Sequence, residues 1–140
     1  MKPVYLLDTN VLLYALSLAP DHLPKQPVAL QWLRRGDWCV SAQVLMEFFN
    51  NARQPRHGLS LALVHDMVRR VVEQRAVQAV DAALVMQALA LAERYQISHW
   101  DAAIVCAAQR LGAHTVVSED LNAGQTYDGV RVLNPFAAAA

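Results

Sequence analysis

The chain has 140 residues, of which 55% are hydrophobic and 17% charged, one domain's length and far from the polar, highly charged mixtures that stay disordered. Its longest uncharged stretches, 9–20 and 82–92, hold 12 and 11 residues, short of the ~20 that a membrane-spanning helix needs. Twelve basic and twelve acidic side chains cancel, so no overall positive field argues for nucleic acid. Residues 4–7 form a short apolar run closed by Asp8-Thr9-Asn10, which predicts a strand feeding a helix over 10–18. Pro20, Pro24 and Pro27 mark a loop before a second helix over about 28–35, closed by Gly36. Residues 38–40 read as a buried strand, and Ser41 can cap a helix to about residue 51.

From Ser60 onward, Val64, Met67, Val68 and Val71 follow i, i+3, i+4, i+7 spacing and predict an amphipathic helix. A third strand is expected over 77–80 and a helix from Asp81 to about residue 95. Ser98 opens a further helix that ends at Gly112, and 115–117 and 130–133 are the last strand candidates. Strands separated by helices predict parallel βαβ crossovers, hence an α/β fold: a three-layer α/β/α sandwich with a five-stranded parallel sheet. The chain reads as a single domain over 1–136 with a short frayed tail at 137–140. The acid at Asp8 interrupts any signal-peptide core. Cys39 and Cys106 are too few for a disulfide framework or a zinc cluster, so a cytoplasmic protein is expected.

In an open parallel sheet, sites form beyond the carboxyl ends of the strands, where the strand order switches. Asp8 directly follows the first predicted strand, and Ser118-Glu119-Asp120 follows the fourth. Asp101, in the first turn of the helix before that fourth strand, can reach the same edge, and Glu47 lies about two turns into the helix after Ser41. Each acid also has an ordinary reading: Asp8 and Asp101 as helix caps, Glu47 on a solvated stripe with Gln43, Asn50 and Asn51, and Asp120 in a turn. All four would have to meet at one edge by accident. Carboxylates gathered in one cleft repel one another unless a cation compensates them, and an oxygen-only donor set suits Mg2+ or Mn2+. Such an ion can clamp a phosphodiester and activate water, so hydrolysis of nucleic acid is the leading expectation. The five histidines show no ligand spacing.

The opening Val-Tyr-Leu-Leu-Asp8-Thr9-Asn10, mid-helix Glu47, Trp100-Asp101-Ala102-Ala103-Ile104 and Ser118-Glu119-Asp120-Leu121, followed by Gly124-Gln125 and Asn134-Pro135-Phe136, resemble a bacterial PIN-domain nuclease over residues 4–136. The resemblance implies a Mg2+- or Mn2+-dependent endoribonuclease and the toxin of a VapBC-type toxin–antitoxin pair, with an antitoxin protein as partner and a homodimer as assembly. It carries over Asp8, Glu47, Asp101 and Asp120 as metal-binding acids, with Thr9 and Ser118 as supporting hydroxyls and Asn10 as a polar helper. One departure is visible: the fourth motif offers two adjacent acids, of which Asp120 matches the family's usual position. Setting the four acids aside leaves twelve basic residues against eight acidic ones. Arg53, Arg56 and His57, in the loop after the Glu47 helix, are the candidate RNA contacts. Two rivals stand beside this reading. A phosphohydrolase with Asp8 as nucleophile is disfavoured because Asp8-Thr9-Asn10 lacks a second acid two positions on. A catalytically silent binding module of the same fold is disfavoured by the intact acidic quartet.

Overall fold

The computed structural model describes residues 2–137; of the expected tail at 137–140, residues 138–140 lie outside the described residues. Strand β1 (Tyr5–Leu7) runs into α1 (Thr9–Leu16), and α2 (Gln26–Arg34) leads to β2 (Trp38–Ser41). Then come α3 (Ala42–Ala52), α4 (Leu61–Gln74), β3 (Val77–Gln78), α5 (Ala82–Tyr95), α6 (His99–Leu111), β4 (Thr115–Val117), β5 (Thr126–Tyr127) and β6 (Val130–Leu133). Helix caps follow the local chemistry: the hydroxyls of Ser41, Ser60 and Ser98 and the Asp81 carboxylate accept from the backbone N–H three residues on, satisfying donors that a first turn leaves open. Helix α2 starts at Gln26, two residues earlier than expected, because Pro27 fits the first turn, where its missing N–H costs nothing.

The sheet order is β3-β2-β1-β4-β6-β5. All neighbours from β3 through β6 pair in parallel, as the expected five-stranded sheet requires. The sixth strand, β5, is antiparallel to β6 and was not anticipated. Its turn is Asp128-Gly129, both with positive φ (48° and 85°), the two-residue hairpin geometry that Asp-Gly favours. Strand β3 stops at Gln78, two residues short of the expected end.

Helix α6 lies on β1, β2 and β4 and pairs with α5, while α1 packs on α2 and α3. Ala102, Val105, Ala107 and Ala108 of α6 and Leu6, Leu7, Val40, Val116 and Val117 of the strands are completely or almost completely buried in one continuous core. Small alanines on α6 let the helix approach the sheet closely. Truncating Leu6 to Ala would cost ~2–5 kcal/mol, since a void there has nothing to fill it.

The topology also creates the site. From β1 the chain moves outward to β2 and β3, then returns to the opposite side of β1 as β4. The order reverses between β1 and β4, the place where open α/β sheets leave a crevice. Leu7 registers with Val117, so parallel strands release Asp8 and Ser118 side by side.

Candidate active site

Asp8 ends β1 with its backbone N–H donating to Val117 O at 3.0 Å. The residue is 4% exposed. One carboxylate oxygen accepts the Thr9 N–H at 2.7 Å and the other accepts the Ser118 hydroxyl at 2.7 Å. Ser118 Oγ in turn accepts the backbone N–H groups of Asp120 (3.1 Å) and Leu121 (3.3 Å). One hydroxyl therefore fixes both the carboxylate on β1 and the loop that presents Asp120.

The two residues after Asp8 reach the other acids. Thr9 Oγ1 donates to Glu47 Oε2 at 3.0 Å, and Asn10 Nδ2 donates to Asp120 Oδ2 at 3.0 Å. Glu47 comes from the second turn of α3, whose start is set by the Ser41 cap at the carboxyl end of β2. Gln43, one turn earlier, donates to Glu47 Oε1 at 2.9 Å and to the Trp100 carbonyl at 3.2 Å, which ties α3 to the first turn of α6. Asp101 stands in that turn, its N–H donating to the Ser98 hydroxyl at 3.1 Å. The cap and site readings of Asp8 and Asp101 are compatible, since the turns that expose helix N–H groups also lie at the carboxyl edge.

The electrostatics of the cluster follow from its composition. Burial pushes the Asp8 carboxyl up to about 6, and repulsion from Asp120 and Glu47 adds to this, against the opposing bonds from Ser118 and Thr9. Asp120, at the exposed rim, is raised by partial desolvation and then by Glu119, with Asp101 and Glu47 contributing. Asp8 thus feels Asp120 and Glu47, and Asp120 feels Asp101 and Glu47, although the four acids come from four segments. None of them makes an ion pair among the described residues. The other acids without one, Glu73 and Glu93, are exposed on helix surfaces.

Glu119 behaves differently from its neighbour. It accepts the Tyr14 hydroxyl at 2.5 Å and the Lys25 ammonium at 2.5 Å, and Lys25 also lies over the Tyr14 ring at 4.9 Å. Burial and the bond to Glu119 hold the Tyr14 phenol above its ordinary range. The adjacent acids therefore part ways: Asp120 faces Asn10 and the cluster, and Glu119 is neutralised by the chain itself.

An oxygen-rich cluster with a deficit of positive charge fits a hard divalent cation. Among the described residues no three His, Cys, Asp or Glu side chains stand close enough to hold one ion between them. The arrangement accordingly suits an ion held by one or two carboxylates and completed by water, the usual manner for Mg2+. No histidine joins the cluster.

Of the candidate RNA contacts, Arg53 and Arg56 are exposed, and the Arg53 guanidinium lies 5.7 Å from the Phe49 ring centre. His57 is only 2% exposed, so in this conformation it meets Arg56 rather than solvent. The sequence reading assigns no site role to Tyr14, Lys25 or His22, and it places Gln43 only on a solvated stripe with Glu47. The only signal for Gln43 was its i, i+4 spacing to Glu47.

Among the described residues no helix is long and apolar enough to cross a membrane. The PIN domain family model matches residues 5–128. No curated protein matches significantly in sequence. Among solved structures, the chain is similar to the Mycobacterium tuberculosis VapC20, a sarcin–ricin loop cleaving toxin. The TM-score is 0.66 at 20% identity, over 83% of this chain and 91% of that one. FitAcB from Neisseria gonorrhoeae has a TM-score of 0.66 at 22% identity, over 96% and 99% of the two chains. A toxin–antitoxin complex from Klebsiella pneumoniae has a TM-score of 0.64 at 18% identity, over 94% and 98%. With a family model that spans most of its length and a matching fold, the chain belongs to the PIN domain family.

Proposed function

We propose that the protein is a metal-dependent endoribonuclease in which Asp8, Glu47, Asp101 and Asp120 between them bind one or two Mg2+ or Mn2+ ions, each ion held by one or two of the carboxylates and completed by water, and that it serves as the toxin of a VapBC-type toxin–antitoxin pair in the cytoplasm. The observation that carries this reading is a set of carboxylates from separate segments at the sheet's switch point, Asp8, Glu47 and Asp120 joined through Thr9, Asn10 and Ser118 and Asp101 close enough to repel Asp120, with no cationic partner among the described residues. A divalent ion, when bound, would supply the positive charge that neutralises a phosphodiester and its leaving oxygen. The chain's own residues do the positioning. Ser118 orients Asp8, Thr9 steadies Glu47, and Asn10 holds Asp120, so the carboxylates need little reorganisation when substrate arrives. Water attacks phosphorus and the 3′ or 5′ oxygen leaves. The deeply buried Asp8 keeps its place because it is bonded on both oxygens.

The toxin role is supported by the fold shared with a sarcin–ricin loop cleaving toxin and with a toxin–antitoxin complex. An antitoxin protein and a homodimer follow as proposed partners. Exposed Met46, Val72, Val85 and Leu89 on α3, α4 and α5 offer apolar surface for such contacts. RNA cleavage with millimolar Mn2+, abolished by EDTA, tests the central activity. Metal-independent cleavage, or none on any RNA supplied, contradicts it.

A further inference from the structure

Across Asn10 from the acid cluster lies a cavity of about 400 Å3 lined by Asn10, His22, Asn51, Gln54, Arg56 and His57. Its chemistry is the reverse of the cluster's. Arg56 Nε donates to His57 Nε2 at 3.3 Å, and Arg56 Nη2 meets His22 Nε2 at 3.2 Å. A guanidinium cannot accept a hydrogen bond, so both imidazoles must accept through Nε2 and carry their protons on Nδ1. His22 Nδ1 has the Ser17 hydroxyl at 2.8 Å. His57 Nδ1 is buried and has no hydrogen-bond partner, an arrangement that costs stability unless something supplies an acceptor. The two rings stack at 5.3 Å with 22° between their planes. The exposed Asp21 carboxylate lies 3.7 Å from Arg56 Nη2 and 3.8 Å from His22 Nε2, while Asp120 and Glu119 are held behind the lining residues Asn10 and Tyr14; Nη1 of Arg56 has no partner among the described residues.

We infer that this cavity is an anion subsite that takes a backbone phosphate of the RNA strand flanking the one held at the acid cluster. Arg56 touches the phosphate, and His22 and His57 are positioning residues that hold its guanidinium edge-on. Guanidinium geometry suits the paired oxygens of a phosphate, and the amides of Asn51 and Gln54 add neutral donors that select no sequence. Asn10 is the shared wall: it lines this cavity and bonds Asp120, so a strand seated here leads directly to the acids. The inference rests on the nuclease reading for its substrate, though not for the anion chemistry.

The test uses the full chain in EDTA with a fluorescent single-stranded RNA, read by anisotropy across a salt series. Arg56→Met should weaken binding about fivefold or more and lower the log–log salt slope by about one. Asn51→Asp, which adds a negative charge to the same cavity without touching Arg56, should weaken binding in the same direction while the melting temperature stays near wild type. Inorganic phosphate that competes for the wild type and not for Arg56→Met places free phosphate in the subsite as well. RNA binding that depends on Arg56 but is indifferent to inorganic phosphate assigns the site to the strand alone. In cleavage with Mn2+, Arg56→Met should raise KM and leave kcat unchanged. Both variants binding RNA within twofold of wild type would overturn the inference. A wild type that binds RNA through Arg56 yet never cleaves it would instead sink the nuclease reading and leave the subsite standing.

Discussion

Glu119 and Asp120 are sequence neighbours in different electrostatic worlds. Glu119 is bonded by Lys25 and Tyr14, whereas Asp120 has only the neutral amide of Asn10 and looks toward three other acids. The same division runs through the molecule. Asp37 is paired with Arg35, Asp66 with Arg69 and Arg70, Asp81 with Arg110 and Asp128 with Arg94. Where a carboxylate has a structural role away from the cleft, the chain commonly provides its counter-charge nearby. At the β1–β4 edge it places Asp8, Glu47, Asp101 and Asp120 together and gives none of these four a counter-charge among the described residues. A protein selected only for stability would gain by relieving that repulsion, so the contrast separates acids that hold the fold from acids that hold a ligand.

The largest expected effect breaks the pair apart directly. Asp120→Asn, and equally Asp101→Asn, should lower kcat for RNA cleavage by about 100-fold or more, while Glu119→Gln stays within a few-fold. Circular dichroism should show all three folded. Equal losses in the two neighbours would erase the distinction. Next in size is the response to metal. Mn2+ at about a hundred times its Kd should stabilise the native protein by about 3 kcal/mol in thermal melts, and EDTA should reverse the shift.

A smaller effect concerns pH in metal-free protein. With its carboxyl held at about 6 in the fold, Asp8 binds its proton more tightly folded than unfolded. Below pH 4 the group is protonated in both states and contributes nothing. As pH rises from about 4 to 6 the unfolded chain gives up its proton while the fold still holds it, so stability falls by about 3 kcal/mol and does not recover above that range. Asp37 and Asp81, held below the ordinary carboxylate range by Arg35 and by the Leu84 N–H with Arg110 respectively, act in the opposite sense. The Asp8 contribution is therefore read as the difference in pH slope between wild type and Asp8→Asn in urea melts. An identical slope would show that Asp8 is not strained as described. The smallest effect belongs to the neutralised side: Lys25→Met should cost about 1 kcal/mol or less, because the pair is partly solvent-exposed, and should leave the metal-induced shift in place.

Much of this contrast was legible in the chain. Asp8 after an apolar strand and Ser118 after another are local facts, and parallel βαβ connection then brings both to one edge. Helix starts followed from Ser41, Ser60, Asp81 and Ser98, because capping involves residues only three apart. What escaped was set by distant partners or by very short elements. Strand β5 has two residues and no periodicity to detect, although Asp128-Gly129 was a hairpin signal in plain view. That Glu119 is the neutralised acid depends on Lys25 and Tyr14, 94 and 105 positions away, which no spacing rule connects. His57 read as a loop residue among polar neighbours, but Leu18 N donates to its carbonyl at 2.9 Å and the ring is drawn beneath Arg56 beside His22.

The most direct measurement is a Mn2+ titration followed by electron paramagnetic resonance on the wild type and on the variants of the two neighbouring acids. Shared occupancy of the β1–β4 cleft predicts saturable binding that weakens at least tenfold in Asp8→Asn and Asp120→Asn and is unchanged in Glu119→Gln. No saturable binding at millimolar Mn2+, or a loss in Glu119→Gln as large as in Asp120→Asn, would contradict it.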